Sequence, residues 1–252
     1  MIRVGVGAGH LDVNFLKYRH ELSKSREFFL RLLELGTYDF DTARSYYSGR
    51  AKKILGLAIK KSENTRSTFQ VDTKIGCVGS PLPIPLNHLT SNSRLVQKYH
   101  IVSQRHSQGF DNSIQPKRIK NILAKSLKDL NLAYVDTYFL HGFCGWPKYQ
   151  DFVENLERVR AEGMTNSIGI SLDQKLEIPI SWCDKIQIPL SLLNEYPKFQ
   201  GEIVVNQVFS GGNGNLQEVI QKIKEDKRIT KVILGTRKLE RIVLFKQLIN
   251  SD

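Results

Sequence analysis

Apolar positions along the chain fall into two rhythms that alternate from end to end. Phe28, Leu30, Leu32, Leu33 and Leu35 precede Gly36, which predicts a helix closed by a glycine cap. Helical spacing returns at Ile54, Leu55, Ala58 and Ile59, and again at Ile119, Ile122, Leu123, Leu127 and Leu130. Further stripes run through Phe152, Leu156 and Val159, ending near Gly163; through Leu216, Val219, Ile220 and Ile223; and through Leu239, Ile242, Val243 and Leu248. Between them lie short β-rich runs: Met1 to Gly7, Tyr38 to Asp41, Phe69 to Lys74, Tyr134 to His141, Ser167 to Ser171, Lys185 to Ile188, Glu202 to Val208 and Thr230 to Leu234. Strands alternating with helices predict an α/β fold with a parallel sheet and right-handed crossovers. About eight such units in this length favour a closed (β/α)8 TIM barrel, which takes about 250 residues. No internal repeat and no linker interrupts the rhythm, so residues 1–252 are read as a single domain.

Two stretches depart from it. Gly76 to Gln115 is a long insertion after the third strand, polar and basic apart from Pro81-Leu82-Pro83-Ile84-Pro85. Loops of this length serve as lids or are disordered, and both readings stand. Leu172 to Asp184 leaves little room for a helix, since Pro179 interrupts it, and Asn194 to Gln200 is also short. The barrel is therefore expected to be trimmed around strands five to seven.

Composition narrows the class. With 40% hydrophobic and 25% charged residues the chain is ordinary globular protein. No apolar run approaches the roughly 18 residues of a membrane helix, and the N-terminus lacks the build of a signal peptide. Cys77, Cys144 and Cys183 are few, odd in number and lack CxxC spacing. No disulfide framework and no zinc site is expected, and the thiols point to a reducing, cytoplasmic compartment. The net charge of +12 fits either an anionic partner or a generally basic surface. The basic residues are spread out, with no zinc-finger spacing and no basic arm, so nothing here calls for nucleic acid.

Candidate chemistry gathers where strands stop. Asp41 ends the second run and Tyr46 follows five positions later; Lys74 ends the third and His141 the fourth. In a parallel barrel that edge is where catalytic groups collect. Each residue alone reads more simply as structure: a salt bridge, a core-edge aromatic, a capped strand end. Together an acid, a phenol, an ammonium and an imidazole form a coherent set. Gly235-Thr236-Arg237 follows the eighth run and precedes a helix, where barrels bind phosphate.

At these residues the chain resembles the aldo-keto reductase family. Asp41-Thr42-Ala43 with Tyr46 resembles its acid-and-tyrosine signature, and Thr73-Lys74 its lysine strand. Ser126-Leu127-Lys128-Asp129-Leu130, then Val135-Asp136 and His141, resemble its helix-then-histidine segment. Ile168-Gly169-Ile170-Ser171 and Val232-Ile233-Leu234-Gly235-Thr236 are similar to its fifth and eighth strands. The likeness spans nearly the whole chain in order and is weakest from Ser181 to Gly214.

The resemblance implies NAD(P)H-dependent interconversion of a carbonyl (an aldehyde, ketone or sugar) and an alcohol, with Asp41, Tyr46, Lys74 and His141 as catalytic tetrad. A phenol with pKa about 10 is a weak acid at neutral pH, and Lys74 is expected to lower it. Asp41 would hold Lys74, and His141 would orient the carbonyl oxygen. By the same likeness Ser171 and Gln187 contact the nicotinamide amide, and Asn206 stands where the family places a ring under the nicotinamide. Phe209 becomes that ring only with a shift. Leu172 replaces a common asparagine, and Tyr47 a common glycine. Lys52 replaces a common glutamate, a change expected to affect only the surface. Arg241 matches an arginine that meets the adenosine 2′-phosphate, so with Gly235, Thr236 and Arg237 the expectation is NADP(H) in preference to NAD(H). Trp146, the long insertion and the C-terminal loops would set the substrate. The alternative is a catalytically weak or inactive barrel of the same kind, which senses cofactor or regulates a partner.

Overall fold

The computed structural model describes residues 1–10, 18–76, 114–142, 149–176, 179–210 and 215–251. Most of the Gly76–Gln115 insertion, together with Trp146, lies outside them. Eight strands close on themselves in chain order: β1 (Arg3–Gly7), β2 (Asp39–Asp41), β3 (Gln70–Ile75), β4 (Val135–His141), β5 (Thr165–Ser171), β6 (Lys185–Pro189), β7 (Glu202–Asn206) and β8 (Ile229–Leu234). Each pairs in parallel with its neighbours, and β1 seals against β8 with Arg3 opposite Lys231 and Val6 opposite Leu234.

Six α-helices are described: α1 (Tyr18–Glu34), α2 (Arg50–Lys61), α3 (Ile119–Leu130), α4 (Tyr149–Ala161), α5 (Leu216–Glu225) and α6 (Leu239–Asn250). Their apolar stripes bury Phe29, Leu32, Ile54, Leu55, Leu123 and Leu156 against the outside of the barrel. Full burial of such a side chain contributes roughly 1.5–3 kcal/mol. Gly36 ends α1 at φ +68, and the two bonds Thr37 N–H to Leu32 O and Gly36 N–H to Leu33 O close the last turn. The trimming is present as expected. Among the described residues no α-helix lies between β5 and β6, and a short 3-10 segment, Leu190–Glu195, joins β6 to β7.

Two expectations change. The seventh strand stops at Asn206 rather than Val208, because Gln207 adopts a left-handed φ of 46 and turns the chain. Lys52 is not a surface residue. It is 3% exposed between α2 and α3, and its ammonium donates to Ser126 Oγ at 2.6 Å. Burial pushes that ammonium down to about 8, with Asp129 opposing the shift.

Inside the barrel, side chains alternate with period two. Asp39 and Asp41 of β2 enter the lumen, as do Asp72 and Lys74 of β3, Phe139 and His141 of β4, and Lys231 and Ile233 of β8. Phe139, Val204 and Ile233 form a small apolar cluster separate from the main core. The N-terminal member of each β2 and β3 pair belongs to a buried ionic group: Lys231 Nζ lies 2.8 Å from Asp72 and 3.3 Å from Asp39, and Arg3 adds a 3.0 Å contact to Asp39. The C-terminal members reach the mouth.

Candidate active site

After β2 the chain keeps bonding to β3 as it leaves the sheet. Thr42 N–H donates to Asp72 O at 3.0 Å and Arg44 N–H to Lys74 O at 3.4 Å. This returns Tyr46, the first residue of a 3-10 turn, to the lumen end of Lys74. Gly9, just past β1, supplies the wall behind the ring; a Cβ there would stand 3.2 Å from Tyr46 Cζ.

The four expected residues come together. Lys74 Nζ sits 2.5 Å from both oxygens of Asp41 and 3.4 Å from Tyr46 Oη, with a further 3.4 Å contact to the Thr42 carbonyl. Asp41 and Lys74 are almost wholly buried. The His141 ring lies edge-on to the Tyr46 ring, centroids 6.2 Å apart. Ser171 and Gln187 join the same group: Ser171 Oγ donates to Gln187 Oε1 at 2.8 Å, and Gln187 Nε2 donates to Asp41 Oδ1 at 3.0 Å.

Burial and charge compete at each group. Burial works against a charged Lys74, but Asp41 and Tyr46 outweigh it and hold the ammonium above its usual range. Burial pushes the Tyr46 phenol up to about 12; Lys74 pulls it down and Asp41 pushes it back up. Lys74 lowers the phenol as expected, but burial outweighs that pull and Asp41 offsets part of it, so the net shift is upward. Burial, reinforced by Lys74, takes His141 down to about 3, so its imidazole is neutral at physiological pH and donates from one nitrogen.

The remaining predicted residues are more dispersed. Asn206 ends β7 half-buried, and its Oδ1 is enclosed with no hydrogen-bond partner among the described residues. Phe209 is 58% exposed and packs edge-on against Phe245 of α6 at 6.2 Å, so it does not supply a ring at the mouth. Past β8, Thr236 Oγ1 accepts from Lys238 N–H at 3.2 Å, and Gly235, Arg237 and Arg241 are exposed. Helix α6 starts with Lys238 as N-cap and no side-chain cap; Arg241 N–H turns back to the Lys238 carbonyl at 3.1 Å, and the positive end of the helix dipole lies beside these residues. Ser171, Gln187 and Asn206 offer polar groups of the kind that match an amide, and Arg237, Arg241 and the start of α6 offer groups of the kind that match a phosphate, a donor set compatible with a nicotinamide dinucleotide.

Three rim residues went unnoticed in the sequence: Gly9, Asp173 and Gln207. Gln207 Nε2 donates to Asp173 Oδ1 at 3.1 Å, tying the turn after β5 to the turn after β7. The position of Asp173, two residues past Ser171, was the available signal.

The family profile described as "Aldo/keto reductase family" matches residues 3–207, well over half of the chain. The chain belongs to the aldo/keto reductase family. Among solved structures, the aldo-keto reductase AKR11C1 from Bacillus halodurans in its holo form is similar, with 17% identity and a TM-score of 0.64 over 99% of this chain and 87% of that one. A protein from Pseudomonas aeruginosa described as an aldo-keto reductase gives 15% identity and a TM-score of 0.66, covering 98% and 88%. One described as a 2,5-diketo-D-gluconic acid reductase B gives 14% and 0.64, covering 98% and 82%. At these identities the likeness to the structures carries the fold, and the profile carries the family. Membership implies an oxidoreductase for nicotinamide-dependent carbonyl reduction on small molecules. No helix among the described residues is long and apolar enough to cross a membrane.

Proposed function

We propose that this aldo/keto reductase interconverts a small carbonyl compound and its alcohol, with Tyr46 as general acid and base and NADP(H) preferred over NAD(H). The observation that carries the reading is the convergence of Asp41, Tyr46, Lys74 and His141 on one lumen end, with Lys74 bridging acid and phenol. When bound, the nicotinamide supplies or accepts the hydride. In the reductive direction the carbonyl oxygen gains negative charge as the carbon gains hydride, and it takes the proton from Tyr46 Oη. Lys74 stabilises the phenolate left behind, and Asp41 keeps Lys74 charged and in place. Neutral His141 donates an N–H to the same oxygen and fixes its direction. The raised phenol suits proton retention until substrate arrives. Arg237, Arg241 and the start of α6 support the 2′-phosphate preference.

One observation favours a second reading, a barrel that binds cofactor without efficient turnover: Asn206 stands at the end of β7, and Phe209 is turned onto α6. Two measurements separate them. NADPH should quench Trp182 fluorescence, and an aldehyde panel should show turnover that falls at least about 10²-fold in Tyr46→Phe. Quenching without turnover, or a Tyr46→Phe variant as active as the wild type, would favour the regulatory barrel or a different chemistry.

A further inference from the structure

Gln187 stands on β6, across the lumen from β2, and is 1% exposed. Its orientation is chemically determined. The Asp41 carboxylate only accepts, so the amide nitrogen faces it, which leaves Oε1 to take the Ser171 hydroxyl. A continuous buried chain of polar contacts results, from Ser171 through Gln187, Asp41 and Lys74 to Tyr46, with distances of 2.8, 3.0, 2.5 and 3.4 Å. Asp41 Oδ1 carries two donors, the ammonium and the amide, and Oδ2 also meets the ammonium.

We propose that Gln187 is a positioning residue for proton transfer: its amide holds the Asp41 carboxylate square to Lys74 and moderates the negative charge that Tyr46 feels. The inference rests on the role given above to Tyr46. It differs from a cofactor contact in acting through Asp41 in the cofactor-free protein. A donor on Oδ1 draws charge off the carboxylate, so less of the ammonium's field is cancelled at the phenol. Without that donor, Asp41 bears more charge and the phenolate is harder to form. Ser171 steadies Gln187 and acts one link further out. If Ser171 and Gln187 also contact the nicotinamide amide, as the family resemblance implies, cofactor occupancy would be felt at the proton donor through the same chain.

The test uses Gln187→Leu, which keeps the approximate size and removes the donor, and Ser171→Ala, which leaves Gln187 in place. Cofactor-free protein carrying ¹³Cζ-labelled tyrosine is observed by NMR, with the Tyr46 signal assigned by its loss in Tyr46→Phe. At about pH 11 the ionised fraction of Tyr46 should fall about 3- to 10-fold in Gln187→Leu, the equivalent of half to one pH unit, and about twofold in Ser171→Ala. The basic limb of kcat/KM for alcohol oxidation should move upward by the same amount. Weaker NADPH binding with an unmoved Tyr46 titration would make Gln187 a cofactor contact alone and overturn the proposal. Lower thermal stability with an unmoved titration would overturn it in favour of a purely structural role. Should Gln187→Leu not fold, an unshifted Tyr46 in Ser171→Ala sinks it. The NMR arm needs no turnover, so it stays readable even if Tyr46→Phe retains activity and the catalytic reading itself falls.

Discussion

The lumen holds two buried clusters built from the same two strands. β2 contributes Asp39 to one and Asp41 to the other; β3 contributes Asp72 and Lys74. Both contain a carboxylate in contact with a lysine that is less than 5% exposed. They differ in what surrounds the pair. Below, Asp39 and Asp72 are met by Lys231 and Arg3, so two negative charges face two positive ones. Burial opposes a charged Lys231, yet Asp72 and Asp39 keep it raised. Above, one acid meets one lysine, and a phenol and an imidazole stand beside them with their protonation set by burial. A buried Asp–Lys pair is therefore not in itself a mark of chemistry. The neighbours that can exchange a proton distinguish the mouth from the plug beneath it.

Exchanging the lysines breaks or sharpens this contrast. Lys231→Met should cost about 3–5 kcal/mol in denaturant unfolding, because it leaves two buried carboxylates short of a counter-ion. Its kcat per folded molecule should stay within about threefold of wild type, far from the 10² scale of a lost catalytic group. Lys74→Met should invert the pattern, with turnover down at least about 10²-fold and a smaller loss of stability, since Gln187 still donates to Asp41. If Lys231→Met abolishes turnover in folded protein, the plug is part of the site and the contrast fails.

A third buried lysine has neither role. Lys52 carries its charge at a cost, so the folded protein gives up that proton near pH 8 whereas the unfolded chain keeps it to about 10.5. Between those values the unfolded state binds more protons, and stability rises with pH; below about 8 the penalty is fully present. The rise should be roughly 1–3 kcal/mol and should vanish in Lys52→Met. It is read as the difference between urea unfolding curves of the two proteins at pH 8 and 10. Equal slopes in both would show that Lys52 is solvated after all.

At the rim the contrast is with an exposed cation. Arg241→Ala should leave stability unchanged, weaken NADPH about tenfold and spare NADH, the scale of one charge-assisted contact to the extra phosphate. Equal losses for both cofactors, measured by fluorescence titration, would remove Arg241 from 2′-phosphate recognition.

The barrel and the four converging residues were legible because both are written locally. Period-two runs ending in Asp41, Lys74 and His141 put polar groups at strand ends whatever the details of packing. The trimming was legible for the same reason, through Pro179 and short spacing. What was not legible depends on distant partners or on the outcome of opposed terms. The bond from Gln187 to Asp41 joins β6 to β2 across the lumen, and no local pattern announces it. The sign of the shift at Tyr46 required knowing that burial and Asp41 together exceed the pull of Lys74. Lys52 looked like one more charge on a basic helix, and the close approach of α3 put it inside.

Gly9 gives the site a schedule. The ring of Tyr46 rests against a residue that follows β1, and β1 is completed by β8, which comes from the other end of the chain. A ribosome-bound chain still lacking β8 has the acid, phenol, ammonium and imidazole but not the closed seam that fixes the wall behind the phenol. Reductase activity should consequently switch on only as the last strand docks. Circular permutants opened in the turn between β8 and α6 would retain that seam, whereas those opened within β1 would lose it.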